Sequence, residues 1–201
     1  PMIGTGPVSD YLSQTGLDAL RGADILSAAP QTYSSSVEYG GSPLAQWIKN
    51  IAQVHLADFG TRIFYTGVNP GTFDTHANEN ITLPKLWGDV SNAIADFHED
   101  LKEHNANEEI VILLFTEFGR RVVDNGSGTD HGSGGVAFVI GDSVKGGLYG
   151  EYPSLDADKL NEGDLQFNND FRGLYSTILE KWMGLDAKPI VNGEFEQMAF
   201  V

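Results

Sequence analysis

Apolar residues recur at three- and four-residue steps in four stretches of the chain and crowd into three short extended runs. Behind an N-cap at Ser9-Asp10, the residues Tyr11, Leu12, Leu17, Leu20, Ile25 and Leu26 follow helical spacing, with Pro30 as the stop. Pro43 opens a second helix, on which Leu44, Trp47, Ile48, Ile51, Val54 and His55 share a face until Gly60. A third begins at Pro84, with Leu86, Val90, Ile94, Phe97 and Leu101 on one side and Asp89, Asp96, Glu99 and Lys102 on the other. The fourth covers 170–183 through Phe171, Leu174, Ile178, Leu179 and Trp182, closed by Gly184. Residues 61–66 are rich in β-branched and aromatic side chains, 109–116 form a continuous apolar run, and 136–140 are a third candidate strand. Strand, helix, strand in that order predicts a parallel βαβ unit. No helical pattern separates Glu117 from Val136, so the third strand is expected to return antiparallel. The expected class is α/β, as one domain over 1–201.

Composition narrows the function classes. The chain has 201 residues, 28 Asp+Glu against 12 Lys+Arg, and a formal net charge of −16. Such acidity argues against binding nucleic acid backbones, which requires clustered Lys and Arg, and against adsorption to anionic lipid. Without cysteine there is no disulfide scaffold, zinc finger or thiol nucleophile, so any metal falls to carboxylate, imidazole or oxygen donors. No run approaches a membrane span. The opening Pro-Met-Ile-Gly-Thr-Gly-Pro lacks the pattern of a secretory signal, and a start at Pro1 fits either a lost initiator methionine or a piece of a longer protein.

Parallel sheets bind ligands beyond the carboxyl ends of their strands. Three unusual stretches fall there: Gly71 to Asn78, Thr116 to Arg121, and Gly126 to Gly132. If the third strand returns antiparallel, Asp74, His76, Glu117, Asp130 and His131 converge at one edge, a donor set suited to Zn, Mn or Fe. Arg120 and Arg121 are candidates to clamp an anion such as phosphate or sulfate. Each piece alone has a plainer reading. Asp-x-His and Asp-His beside glycine are common in turns, and Glu117 has arginine neighbours to pair with. His55, His98 and His104 read as structural, Asp96, Glu99, Asp100 and Glu103 as a solvated face, and Trp47, Trp87 and Trp182 as core.

Phe-Asp-Thr-His-Ala-Asn at 73–78, Glu-Phe-Gly-Arg-Arg-Val at 117–122, Asn-Gly-Ser-Gly-Thr-Asp-His-Gly at 125–132 and Val-Lys-Gly-Gly-Leu-Tyr-Gly at 144–150 resemble the sulfatase-like family known as domain of unknown function 1501. Asp-Phe-Arg-Gly-Leu-Tyr at 170–175 fits its C-terminal end. The resemblance implies an alkaline-phosphatase-like three-layer α/β fold, of which this chain would be the C-terminal half only. It implies metal-dependent hydrolysis of phosphate or sulfate esters, with Asp74, His76, Glu117 and His131 as ligands, Asp130 as a weaker one, and a periplasmic or extracellular location. The nucleophile would lie in a missing N-terminal half, supplied as a second chain, and Thr75, Thr129 and Ser133 are hydroxyls that no motif nominates.

Three functions follow. The first is a metal-dependent ester hydrolase incomplete without that half. The second is a non-catalytic binding or scaffold module, and the third a surface or assembly protein whose exposed sheet edge pairs with another copy.

Overall fold

The computed structural model describes residues 6–201, the side chain of Ile25 excepted. The reading of residues 1–5 as free of a secretory signal lies outside the described residues, as does the expected place of Ile25 on a helical face. The chain divides into two compact units, Pro1–Asn69 with Trp87–Ala106, and Pro70–Leu86 with Asn107–Val201. Among the described residues no helix is long and apolar enough to cross a membrane.

The first unit is helical. Helix α1 (Pro7–Thr32) runs through Pro30 rather than stopping at it. Val8, Tyr11, Leu12, Leu17, Leu20 and Leu26 of its periodic face are exposed, and Ala29 near its end is buried. Helix α2 (Pro43–Leu56) starts as its sequence dictates. Ser42 Oγ accepts the Ala45 N–H at 3.2 Å, and Pro43 sits where no N–H is needed. Leu44, Ala45, Ile48 and Ala52 of α2 are buried, as are Val90, Ala93, Phe97 and Leu101 of α3 (Glu79–Glu103). Full burial of each large apolar side chain stabilises by roughly 1.5–3 kcal/mol. Trp47, expected in the core, is instead 38% exposed at the edge of this layer.

The acidic stripe of α3 is a solvated face only in part: Glu99 is 64% exposed, but the others do more. Asp96, Asp100, Glu103 and His104 lie at helical spacing and hold the irregular segment 33–40. Asp96 accepts the Gly40 N–H at 3.1 Å, and Glu103 accepts the Ser36 N–H and both the Ser35 and Ser36 hydroxyls. Asp100 is wholly buried, and its Oδ2 accepts the Tyr33 hydroxyl at 2.6 Å and the Tyr39 hydroxyl at 2.7 Å. Burial raises both phenols, and the hydrogen bonds to Asp100 raise them further. Asp100 Oδ1 has no hydrogen-bond partner although His104 Nδ1 lies 3.3 Å away, because that nitrogen meets the Asp100 carbonyl at 2.8 Å. The other ring nitrogen meets the Ser34 carbonyl at 2.9 Å. Two carbonyl acceptors require both ring nitrogens to donate, so the imidazolium is the fitting form and balances the buried carboxylate. These carbonyls raise the His104 value, the Asp100 carbonyl most, while burial opposes them. Lys49 Nζ completes the cluster, 5.9 Å from the centre of each tyrosine ring.

The second unit carries all the strands among the described residues, and they do not form the expected sheet. Strand β1 (Ile112–Leu114) pairs antiparallel with β4 (Phe138–Ile140), Leu113 opposite Val139. Strand β2 (Gly119–Asp124) pairs antiparallel with β3 (Thr129–Gly132). The antiparallel return of 136–140 therefore holds, over fewer residues. The parallel βαβ unit does not form: 61–66 joins no ladder, and Ile63 and Tyr65 are exposed. β-Branched composition favours extended backbone, but a strand exists only through a partner. The alkaline-phosphatase-like three-layer sheet is thus overturned, since the described residues are mostly helical with two separate two-stranded sheets.

Helix α4 (Phe171–Thr177) is capped by Asp170, whose carboxylate accepts the Arg172 N–H at 2.9 Å, and it continues as a wider π-helical stretch over Ile178–Trp182. Buried Thr177 donates its hydroxyl to the Gly173 carbonyl and accepts the Met198 N–H at 2.9 Å, fastening the C-terminal segment that buries Phe200. The short helix α5 (Lys188–Val191) buries Val191.

Two tests follow from the Asp100 cluster. Asp100→Ala strands two phenols and an imidazolium and should cost about 3 kcal/mol in denaturant unfolding; a loss below about 1 kcal/mol would contradict the assignment. His104 has a raised folded-state value, so its stabilisation is complete below the ordinary histidine range and disappears as pH rises through the raised one. Unfolding midpoints should fall on that alkaline side in the wild type, and His104→Gln should flatten the decline.

Candidate metal centre

Two segments of the second unit carry the chemistry. One is the loop before α3, where Gly71 (φ 80°) makes a turn, its carbonyl accepting the Asp74 N–H at 3.2 Å, and Asn78 (φ 55°) breaks into the helix. The other is the β2–β3 hairpin, formed where sequence pattern alone indicates loop. Its turn is built by Asn125, whose Oδ1 accepts the N–H groups of Ser127 and Gly128 at 3.1 and 2.9 Å. The segments are joined by the Asn78 N–H donating to the Ser127 carbonyl at 2.9 Å, and by Asn125 Nδ2 donating to the His76 carbonyl at 3.1 Å. Glycine is required in the hairpin: a Cβ on Gly132 would lie 2.6 Å from the Arg121 backbone nitrogen, and one on Gly128 would lie 2.7 Å from Glu79 Cδ.

Asp74, His76 and His131 converge, each offering one donor atom within 4.8 Å of the others. His131 Nε2 is 2.6 Å and His76 Nε2 3.1 Å from the same oxygen, Asp74 Oδ1. Donors around a tetrahedral zinc ion stand about 3.3 Å apart; the two Asp74 separations fall below that spacing, and the 4.8 Å limit for the set exceeds it. The rings lie side by side, centroids 4.8 Å apart, and Phe118 stacks on the far face of His131 at 3.8 Å. Phe118 therefore acts as a wall for that imidazole. The hydrogen bond from His131 holds the Asp74 carboxyl below the usual carboxylate range, with His76 adding to the effect.

The remaining expected ligands take other places. Asp130 Oδ1 lies 3.1 Å from His76 Nδ1, on the side of the ring away from Asp74. It also accepts from Asn125 Nδ2 at 3.1 Å; these two bonds, Asn125's first, lower its carboxyl. His76 lies between two carboxylates, which an imidazolium satisfies by donating to both; with a cation on Nε2 instead, its one proton would sit on Nδ1 toward Asp130. In that second state Asp130 would orient His76 as the carboxylate of a carboxylate–histidine–metal relay. Glu117 is exposed after β1 and is outside the cluster among the described residues.

Both arginines are engaged. Arg120 Nη2 donates to the Phe73 carbonyl at 2.7 Å, and Nη1 to the carbonyls of Thr75 and of Thr129, the latter at 2.8 Å. Its Nη1 also lies 3.2 Å from Glu79 Oε1, while the Glu79 carboxylate accepts the Thr129 N–H and hydroxyl. Arg121 Nε pairs with Asp164 at 3.1 Å. Arg120 thus presents no free fork, whereas Arg121 is 44% exposed and is held through Nε and, at 3.4 Å, through Nη2 to the Glu162 carbonyl. Of the nearby hydroxyls, Thr129 donates to Glu79 and Ser133 to the Leu165 carbonyl, while Thr75 Oγ1 accepts from Arg120 Nη2 at 3.4 Å. Sequence reasoning did not single out Asn125 or Glu79. The Asn-Gly turn signal and an acid in the first turn of α3 were the available clues.

Two imidazoles and one carboxylate on a small hairpin-and-loop platform define a candidate single-metal centre of a mostly helical protein. The family described as Protein of unknown function (DUF1501) matches residues 25–196, and the chain belongs to it. The match takes in almost the whole chain instead of marking it as a C-terminal half, which corrects that expectation. No curated protein and no solved structure matches, and nothing found ties the chain to the sulfatase-like or alkaline-phosphatase-like superfamily.

Gly132→Ala should destabilise the chain by about 1–3 kcal/mol, measured by denaturant unfolding, because backbone rather than a flexible side chain occupies the space. An unchanged midpoint would show that the hairpin yields.

Proposed function

We propose that this chain holds one divalent ion, Zn, Mn or Fe, on Asp74, His76 and His131 and uses it to hydrolyse an ester. The observation that supports this is the incomplete donor set: three ligands converge, all are exposed, and no fourth joins them among the described residues. Structural zinc sites are closed by four protein ligands, whereas catalytic ones have three and an open position. An ion bound there supplies Lewis acidity and acidifies a water at its open face. The committed hydroxyls of Thr129 and Ser133 favour solvent water as the nucleophile. Asp130 fixes the tautomer of His76, and Phe118 fixes the plane of His131. Arg120 is spent on backbone carbonyls, so any phosphate or sulfate preference would rest on the more exposed Arg121. The second reading, a metal-binding module without turnover, is favoured by the same commitment of the Thr129 and Ser133 hydroxyls.

Elemental mass spectrometry of protein grown with ample metal should find about one Zn, Mn or Fe per chain, and His131→Ala should lose it. Wild type should then turn over at least one of a phosphate, sulfate and carboxylate ester panel, with the variant inactive. Metal without turnover would favour the binding module, and absence of metal from both proteins would overturn the site.

A further inference from the structure

Resting on that reading, we infer that Arg120 is the positioning residue of the metal centre, the single cation that sets the spacing between its two ligand-bearing segments. The guanidinium is 24% exposed and lies between them. On one side it holds the carbonyls of Phe73 and Thr75, the residues that flank Asp74, and the Thr75 carbonyl belongs to the peptide that leads into His76. On the other side it holds the carbonyl of Thr129, whose peptide leads into Asp130 and then His131. All three ligands are therefore within two residues of a carbonyl that one planar group grips. Glu79 fixes the guanidinium from below, 3.2 Å from Nη1, and the same carboxylate takes the Thr129 N–H at 3.1 Å. The Phe118 ring that stacks on His131 lies 5.3 Å from Arg120 Cζ, so the cation also backs the wall of that ligand. Only arginine meets these demands. Lysine offers a compact ammonium with tetrahedral donors and cannot reach three carbonyls spread across one plane.

This role differs from substrate binding in what it controls. A clamp for an anionic substrate would alter substrate affinity and leave the ion untouched. A positioning residue alters the ion itself, because removing it lets Asp74 and His76 drift from His131.

The test uses cobalt(II) on the full-length chain, followed by titration and by its visible absorption. Arg120→Gln should bind Co²⁺ about 10–100-fold more weakly than wild type, with a changed absorption band that reports altered ligand geometry. Arg120→Lys should recover part of the affinity, and it decides the matter if the glutamine variant does not fold. Asp100→Ala, which weakens the other unit, should bind Co²⁺ normally while it remains folded, separating lost positioning from lost stability. Wild-type affinity and spectrum in both Arg120 variants would overturn this inference alone. Failure of the wild-type chain to bind Co²⁺ would overturn the metal reading and this inference with it.

Discussion

A guanidinium taken partly out of water must find acceptors for its N–H groups, and in this protein the acceptors of Arg120 are the backbone carbonyls beside the metal-ligand candidates. That requirement links a loop near residue 74 to a hairpin near residue 130. Glu79 and Asn125 extend the link in two directions. Glu79 ties the first turn of α3 to Thr129, and Asn125 ties the hairpin turn to His76 and Asp130. The ligand atoms meet because of this polar network, not because a large sheet presents them.

The same economy of polar contacts holds the first unit. Helix α3 buries Val90, Ala93, Phe97 and Leu101 on one stripe, and its adjoining stripe of Asp96, Asp100, Glu103 and His104 pins the segment 33–40. Asp100 is the costly member, a carboxylate with no access to water: two phenols donate to its Oδ2, while Oδ1 has only the charge of the adjacent imidazolium 3.3 Å away. The strong net negative charge of the chain is thus partly internal structure. Acidic residues that look like a solubilising face are hydrogen-bond acceptors for a loop with few other anchors.

Legibility varied with how local the cause was. Helix α2 follows from Ser42, Pro43 and the spacing of Leu44, Ile48 and Ala52, because cap and stripe lie within one segment. The meeting of Asp74, His76 and His131 was also legible, since few residue types can bind metal without cysteine and they cluster near glycines. The route by which they meet was not. A parallel sheet edge was expected, and a loop bound to a hairpin is observed, because 61–66 has strand composition but no strand to pair with. Arginine roles were misread for a similar reason. Sequence shows that Arg120 is charged, but only the fold shows that its N–H groups face Phe73, Thr75 and Thr129 rather than solvent. Asp130 faces Nδ1 of His76 whereas Asp74 faces Nε2, a distinction of one ring side that spacing cannot carry.

The central claim is that one ion is shared by Asp74, His76 and His131, and anomalous diffraction from crystals of this chain soaked in zinc tests it most directly. The account expects one strong peak within about 2.0–2.2 Å of Nε2 of both histidines and of an Asp74 carboxylate oxygen, with Asp130 still bonded to His76 Nδ1. A fully soaked crystal with no peak there, or with zinc bound instead by Asp130 and Glu117, would contradict it.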